Sequence, residues 1–217
     1  MKKQLDAIRQ KGPAQTPGRQ AATVLCVILL GFCLGVFSKY LDFCQTSLPG
    51  LLQAIDDALD FHNFLGSFAP WLLLSLCIAV YSSSPLRAGV HVFGFLAAMI
   101  SGYYLYCHFV AGFFPKGYAM IWAGFTLISP ALACLCWYAR GKGPAALVLS
   151  AAIVSVFINC AFAYGMLYIS LISALQLAAL LAALAVLRRP AKEMAAMLAL
   201  AAVFAVVTNA ALPFRIW

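Results

Sequence analysis

The sequence predicts an all-α, polytopic transmembrane helix bundle of about seven spans, on three observations. Of 217 residues, 65% are hydrophobic and only 9% are charged, whereas an ordinary soluble domain is about half apolar and about a quarter charged. The apolar residues fall in runs of roughly 20 without strict alternation, the length and pattern of a helix that crosses the hydrocarbon core. The Lys and Arg residues collect at alternate connections between those runs, as the positive-inside rule requires. With 14 basic and 6 acidic residues and a mean hydropathy of +0.97, the chain cannot clothe a soluble surface, and a disordered chain would be poorer still in apolar residues.

The elements follow in order. Residues 1–20 carry Lys2, Lys3, Arg9, Lys11 and Arg19 among Pro13, Pro17 and two glycines, and read as a solvated basic tail on the cytoplasmic side. Residues 21–217 read as a single transmembrane helical domain. Span 1 is expected at 21–42. Its apolar run exceeds a typical signal-peptide core and no small-x-small cleavage site follows, so it reads as uncleaved. Spans 2, 3 and 4 are expected at 66–83, 88–112 and 118–139, the last kinked at Pro130, which costs the hydrogen bond to the Thr126 carbonyl. The apolar stretch from Pro144 to Leu187 is twice the length of one span. It is divided at Tyr164-Gly165 into span 5 (144–163) and span 6 (167–187); read as one span, it would leave six. Span 7 is expected at 193–212.

Between spans 1 and 2, residues 47–62 are too short to cross. Leu51, Leu52, Ile55 and Leu59 fall at helical spacing, with Gln53, Asp56, Asp57 and Asp60 elsewhere. This reads as an amphipathic helix lying on the outer surface. The tail, Arg87, Arg140 with Lys142, and Arg188, Arg189 with Lys192 place eleven of the 14 basic residues on one side, against Lys39, Lys116 and Arg215 on the other. The expected orientation is therefore N-terminus in and C-terminus out. An aromatic belt of Phe43, Phe61, Phe64, Phe113, Phe114, Tyr164, Tyr168 and Trp217 marks the outer side. The localisation expected is the plasma (cytoplasmic) membrane.

Candidate chemistry is sparse. Gly31 and Gly35 form a GxxxG step in span 1, and Gly94 and Gly102 a small-residue seam in span 3; both read as helix-packing positions. Lys39 continues the first step with Asp42 three residues on, read either as an interfacial ion pair or as an anion-contacting group in an outward cavity. Ser101, Tyr104 and His108 follow at i, i+3 and i+7 on span 3 and are read as sharing a face that lines an outward pocket, flanked by Tyr103 and Tyr106. Lys39, Asp42, Ser101, Tyr104 and His108 are thus the ligand-binding candidates. Ser155, Asn159, Ser170, Ser173, Gln176, Thr208 and Asn209 read as interhelical hydrogen-bonding groups.

The pattern Asp56-Asp57-x-x-Asp60 resembles the magnesium-diphosphate motif of membrane prenyltransferases, but no second acidic motif accompanies it. It reads chiefly as a solvated helix face, and no metal site is assigned. The eight cysteines lack any CxxC pair and read as small apolar packing residues, with Cys44 and Cys107 the one pair placed for an outward disulfide. No Asp or Glu falls inside a span core, which argues against a buried-carboxylate proton relay. No GxSxG, HExxH or Walker A motif occurs. No cofactor, catalytic residue or nucleic-acid partner is expected.

Three segments carry a resemblance: Leu30-Gly31-Phe32-Cys33-Leu34-Gly35-Val36-Phe37-Ser38-Lys39-Tyr40-Leu41-Asp42, Gly102-Tyr103-Tyr104-Leu105-Tyr106, and Trp137-Tyr138-Ala139-Arg140-Gly141-Lys142-Gly143. They resemble an uncharacterised family of small bacterial multi-pass membrane proteins, which implies a helical bundle and no particular activity. In size and outward polar site the chain also looks like the substrate-capture subunits of energy-coupling-factor transporters. The functional expectation is a transport-type or solute-binding membrane protein with an outward-opening polar and aromatic pocket. The alternatives are a structural or assembly subunit that packs a partner through its glycine seams and, more weakly, a metal-dependent lipid enzyme using Asp56, Asp57 and Asp60. The partners expected are the lipid bilayer and either a small solute or a partner membrane subunit.

Overall fold

The computed structural model describes residues 7–13 and 16–211. Lys2, Lys3, Arg215 and Trp217, used above for orientation and the aromatic belt, lie outside the described residues. The chain runs α1 (Pro17–Cys44), α2 (Gly50–Leu59), α3 (Phe61–Gly66), α4 (Ala69–Tyr81), α5 (Pro85–Phe109), α6 (Lys116–Ala139), α7 (Pro144–Ala161), β1 (Phe162–Tyr164), β2 (Ile169–Leu171), α8 (Ala174–Val186) and α9 (Ala191–Ala211). Proline in the first turn opens α1, α4, α5 and α7, where its missing N–H has no helical acceptor to lose.

α1, α5, α6, α7 and α9 are long and apolar enough to cross a membrane, as expected of a membrane protein. The other two expected spans are cut short. α4 and α8 have 13 residues each, about 20 Å of helix against a hydrocarbon core of roughly 30 Å. Span 2 begins only at Ala69, after α3 ends at Gly66, and stops at Tyr81. Span 6 gives up its start to an antiparallel hairpin in which Phe162 pairs with Leu171 and Tyr164 with Ile169. Ser170 therefore sits in a strand, and Ser173 caps α8 by accepting from the Gln176 N–H at 3.2 Å. Both residues had read as interhelical contacts. β-branched and aromatic residues around Gly165 favour the paired strands.

α4 is apolar on every side because it is central. Leu76 and Val80 join a core with α7, α8 and α9, while Trp71 and Ala79 join a second core with α1, α5 and α6. The first half, built on the second core, is held by the glycine seams. A Cβ on Gly31 would stand 2.3 Å from the Phe95 carbonyl oxygen, one on Gly35 2.1 Å from that of Met99, and one on Gly102 2.4 Å from that of Phe32. Backbone meets backbone, so no side chain fits between them. Gly94 is looser and touches only the Ile28 side chain. Both partner positions advance together along α1 and α5, so these helices run parallel. In α6, Pro130 lies within a continuous helix, and the Ser129 hydroxyl donates to the Thr126 carbonyl at 2.8 Å, replacing the N–H that proline lacks.

The basic segment before α1 is not simply solvated. Lys142 N–H donates to the Ile8 carbonyl (2.8 Å) and Gly12 N–H to that of Ser83 (2.9 Å). Arg9 donates to the carbonyls of Trp137 (2.6 Å) and Val80 (2.8 Å), and its guanidinium lies 4.3 Å from the centre of the Trp137 ring. These carbonyls are the unpaired ends of α6 and α4, where the helix dipole favours a cation. Burial, and then the nearby Arg140, hold the Arg9 guanidinium below its usual value. Such a group still carries its proton at neutral pH. Gly141 makes room for the strap, since a Cβ there would meet the Ile8 oxygen at 2.4 Å.

Candidate functional site

The opposite end of the first half holds the Lys39 group. Lys39 sits in the last two turns of α1 and is only 5% exposed. Its ammonium pairs with Asp42, whose side chain is 46% exposed, and lies 4.9 Å from the Phe113 ring centre and 5.6 Å from that of Tyr103. An ammonium has three N–H donors, and one acid with two ring faces meets only part of that demand. Phe113 reaches it from the α5–α6 connection, where Gly112 adopts a left-handed conformation (φ 72°).

Next to Lys39, Ser38, Tyr103, Tyr104, Tyr118 and Trp122 border a cavity of about 30 Å³, room for one or two waters. Ser38 donates to the Leu65 carbonyl (3.3 Å), as does the Trp71 indole (2.9 Å), and Tyr118 donates to that of Gly66 (3.1 Å). Tyr104 is 7% exposed, and its buried hydroxyl has no hydrogen-bond partner among the described residues. Such a group carries a desolvation cost of about 1–3 kcal/mol until something meets it.

The structure divides the five ligand-binding candidates. Lys39 and Asp42 are paired, and Tyr104 borders the cavity beside Lys39. Ser101 and His108 are exposed on the outside of α5. Ser101 donates to the Ala97 carbonyl at 2.8 Å, and the His108 ring packs against Phe109 at 4.8 Å. Successive residues of a helix turn by about 100°, so Ser101 and His108 lie about 40–60° further round than Tyr104. That offset crosses the boundary between core and lipid. Tyr103, which had read as a flanking residue, is the α5 side chain that reaches Lys39. Trp71, Tyr118 and Trp122 were missed as well; interfacial aromatics are common in spans, and no spacing singled these out.

The acidic segment also differs from expectation. α2 and α3 are separated at Asp60, which takes a left-handed conformation (φ 55°) and donates its N–H to the Asp56 carbonyl. Asp56 had read as part of a solvated face but is 5% exposed. It accepts from the His62 N–H (2.7 Å) and contacts His62 Nδ1 (2.8 Å). It thus fastens α3 onto α2. Leu51, Ile55 and Leu59 stay exposed on α2, a stripe suited to a membrane surface. Among the described residues no group of three His, Cys, Asp or Glu could hold a metal, and all eight cysteines are free, Cys44 and Cys107 included.

The second half carries a network of its own. The Tyr164 hydroxyl of the hairpin donates to the Asn159 side-chain oxygen, and the Asn159 amide donates to Thr208 Oγ1 (2.9 Å) and the Ala205 carbonyl (3.3 Å). It ties α7, α9 and the hairpin together, and every polar atom in it is used. No protein-family model, curated protein or solved structure matches this chain.

Proposed function

We propose that this chain is a solute-binding membrane protein of transport type, in the cytoplasmic membrane with its N-terminus inside. Its recognition site is the Lys39 group at the outer end. The observation that carries this reading is a buried lysine whose ammonium reaches the Tyr103 ring, next to Tyr104, whose buried hydroxyl lacks a partner among the described residues. Burying a charge is costly unless its hydrogen bonds are met. The spare donors of Lys39 and Tyr104 suit a small anionic solute such as a carboxylate, which would share or displace Asp42. At its present size the cavity has room for a water or two, so a solute would need the aromatic side chains that border it, Tyr103, Tyr104, Tyr118 and Trp122, to move aside.

Two other readings have less support. All four seam glycines face α1 or α5 within this same chain, which counts against the seams as a surface for a partner subunit. A metal-dependent lipid enzyme would need Asp56, which is committed to His62. The test is a thermal-unfolding screen of the purified protein in detergent against small anionic solutes, with Lys39→Met and Tyr104→Phe alongside. A solute that raises Tm of the wild type by several degrees and neither variant supports the site. If every stabilising solute acts equally on all three proteins, the site is not at Lys39.

A further inference from the structure

The basic end has a second recess, between the α6–α7 turn and the α8–α9 turn, with a volume of about 270 Å³. Arg140, Lys142, Arg188 and Arg189 line it, with Glu193 as its one acid. Glu193 is already paired with Arg189 at 3.1 Å. Arg189 forms the floor. Its side chain is only 6% exposed, and it donates to the carbonyls of Ala139 (2.6 Å) and Gly141 (3.3 Å) and to Ser150 Oγ (3.1 Å). Its Nε is buried without a hydrogen-bond partner among the described residues. Lys142 and Arg188 are exposed, and their side chains make no hydrogen bond or ion pair among the described residues. α9 begins at this rim, with Met194 N–H to the Pro190 carbonyl as its first helical bond. The N–H groups of the preceding turn are therefore left for another acceptor, at the positive end of a 21-residue helix.

We propose that this recess is a binding site for a phosphate-bearing anion, foremost the headgroup of an anionic phospholipid. Two free cations, a buried guanidinium with an unused N–H and a helix N-terminus converge on one concave surface. A phosphate offers several acceptor oxygens to such a set and pairs with forked guanidinium donors. The recess lies where four apolar helices end, the depth of lipid phosphates, and basic pockets between spans at this depth are known headgroup sites. This site is independent of the Lys39 reading.

The experiment titrates the full chain, in uncharged detergent, with dioctanoyl phosphatidylglycerol, dioctanoyl phosphatidylcholine and inorganic phosphate, read by native mass spectrometry and by Tm. Lys142→Gln with Arg188→Gln is compared with Lys11→Gln with Lys116→Gln, which removes the same charge from exposed positions elsewhere. The expected result is retention of phosphatidylglycerol over phosphatidylcholine, weakened about 10- to 30-fold in the first pair and unchanged in the second. Phosphate that displaces the lipid would support the site and add a free anion as ligand. Phosphate that does not, with lipid binding still dependent on Lys142 and Arg188, would support the site and assign it to the lipid. Equal binding of the two lipids, or equal loss in both variant pairs, would overturn the proposal.

Discussion

The two ends of the bundle each bury a cation, and they treat it differently. At the basic end, Arg9 and Arg189 spend their donors on helix-terminal carbonyls, supplied by Val80, Trp137, Ala139 and Gly141. At the other end, Lys39 meets one half-exposed carboxylate and two ring faces. The arginines close the ends of α4 and α6, and of their donors the Arg189 Nε is left unmet among the described residues. The lysine has a larger share of its capacity left over. Arg189 and Lys39 share the sign of charge and are buried alike, each side chain 6% exposed, so the difference lies in how much of each cation's hydrogen bonding is already met.

Arg189→Met should have the largest effect, because it removes three donations at once, to the Ala139 and Gly141 carbonyls and to Ser150 Oγ, and leaves the Ala139 carbonyl with the Ser150 hydroxyl alone. A loss of about 3 kcal/mol is expected, measured by unfolding in detergent. Arg9→Met should cost about 2 kcal/mol, and Arg9→Lys should recover only part of it, since an ammonium cannot span two carbonyls as the guanidinium fork does. Lys39→Met should change stability by no more than about 1 kcal/mol, because an apolar side chain of similar volume often replaces a buried ion without loss. If Lys39→Met is as damaging as Arg189→Met, the contrast between the ends fails. Tyr104→Phe should be smallest, neutral or slightly stabilising within about 1 kcal/mol, since its hydroxyl has no bond to lose. Ser101→Ala and His108→Ala should leave any solute-dependent Tm shift intact, which would separate the Lys39–Tyr104 face from its exposed neighbours.

Much of the helical frame was legible because hydrocarbon leaves the backbone few options. Five of the expected spans coincide with long apolar helices. The shortening of α4 and α8 was not legible. Apolar content marks depth in the membrane but does not distinguish a helix from the Phe162–Leu171 hairpin, whose backbone is met by strand pairing. At the candidate site, Lys39, Asp42 and Tyr104 were readable from type and spacing, while the placement of Ser101 and His108 failed by a rotation of about 40–60° that spacing alone does not fix. Arg9 was hidden for another reason. Its acceptors are backbone carbonyls 71 and 128 residues away, and no side-chain pattern records them.

That separation has a consequence for how the molecule is made. Arg9 is synthesised well ahead of both its acceptors, Val80 by 71 residues and Trp137 by 128. The strap around Ile8, Arg9 and Gly12 therefore closes only after α6 has been inserted, as a late, long-range contact of the kind that slows assembly. Until then the ends of α4 and α6 stand open. The segment before α1 acts as a latch on work finished long after it, and a bulky insertion beside Ile8 or Arg9 would obstruct the latch while leaving every long apolar helix unchanged.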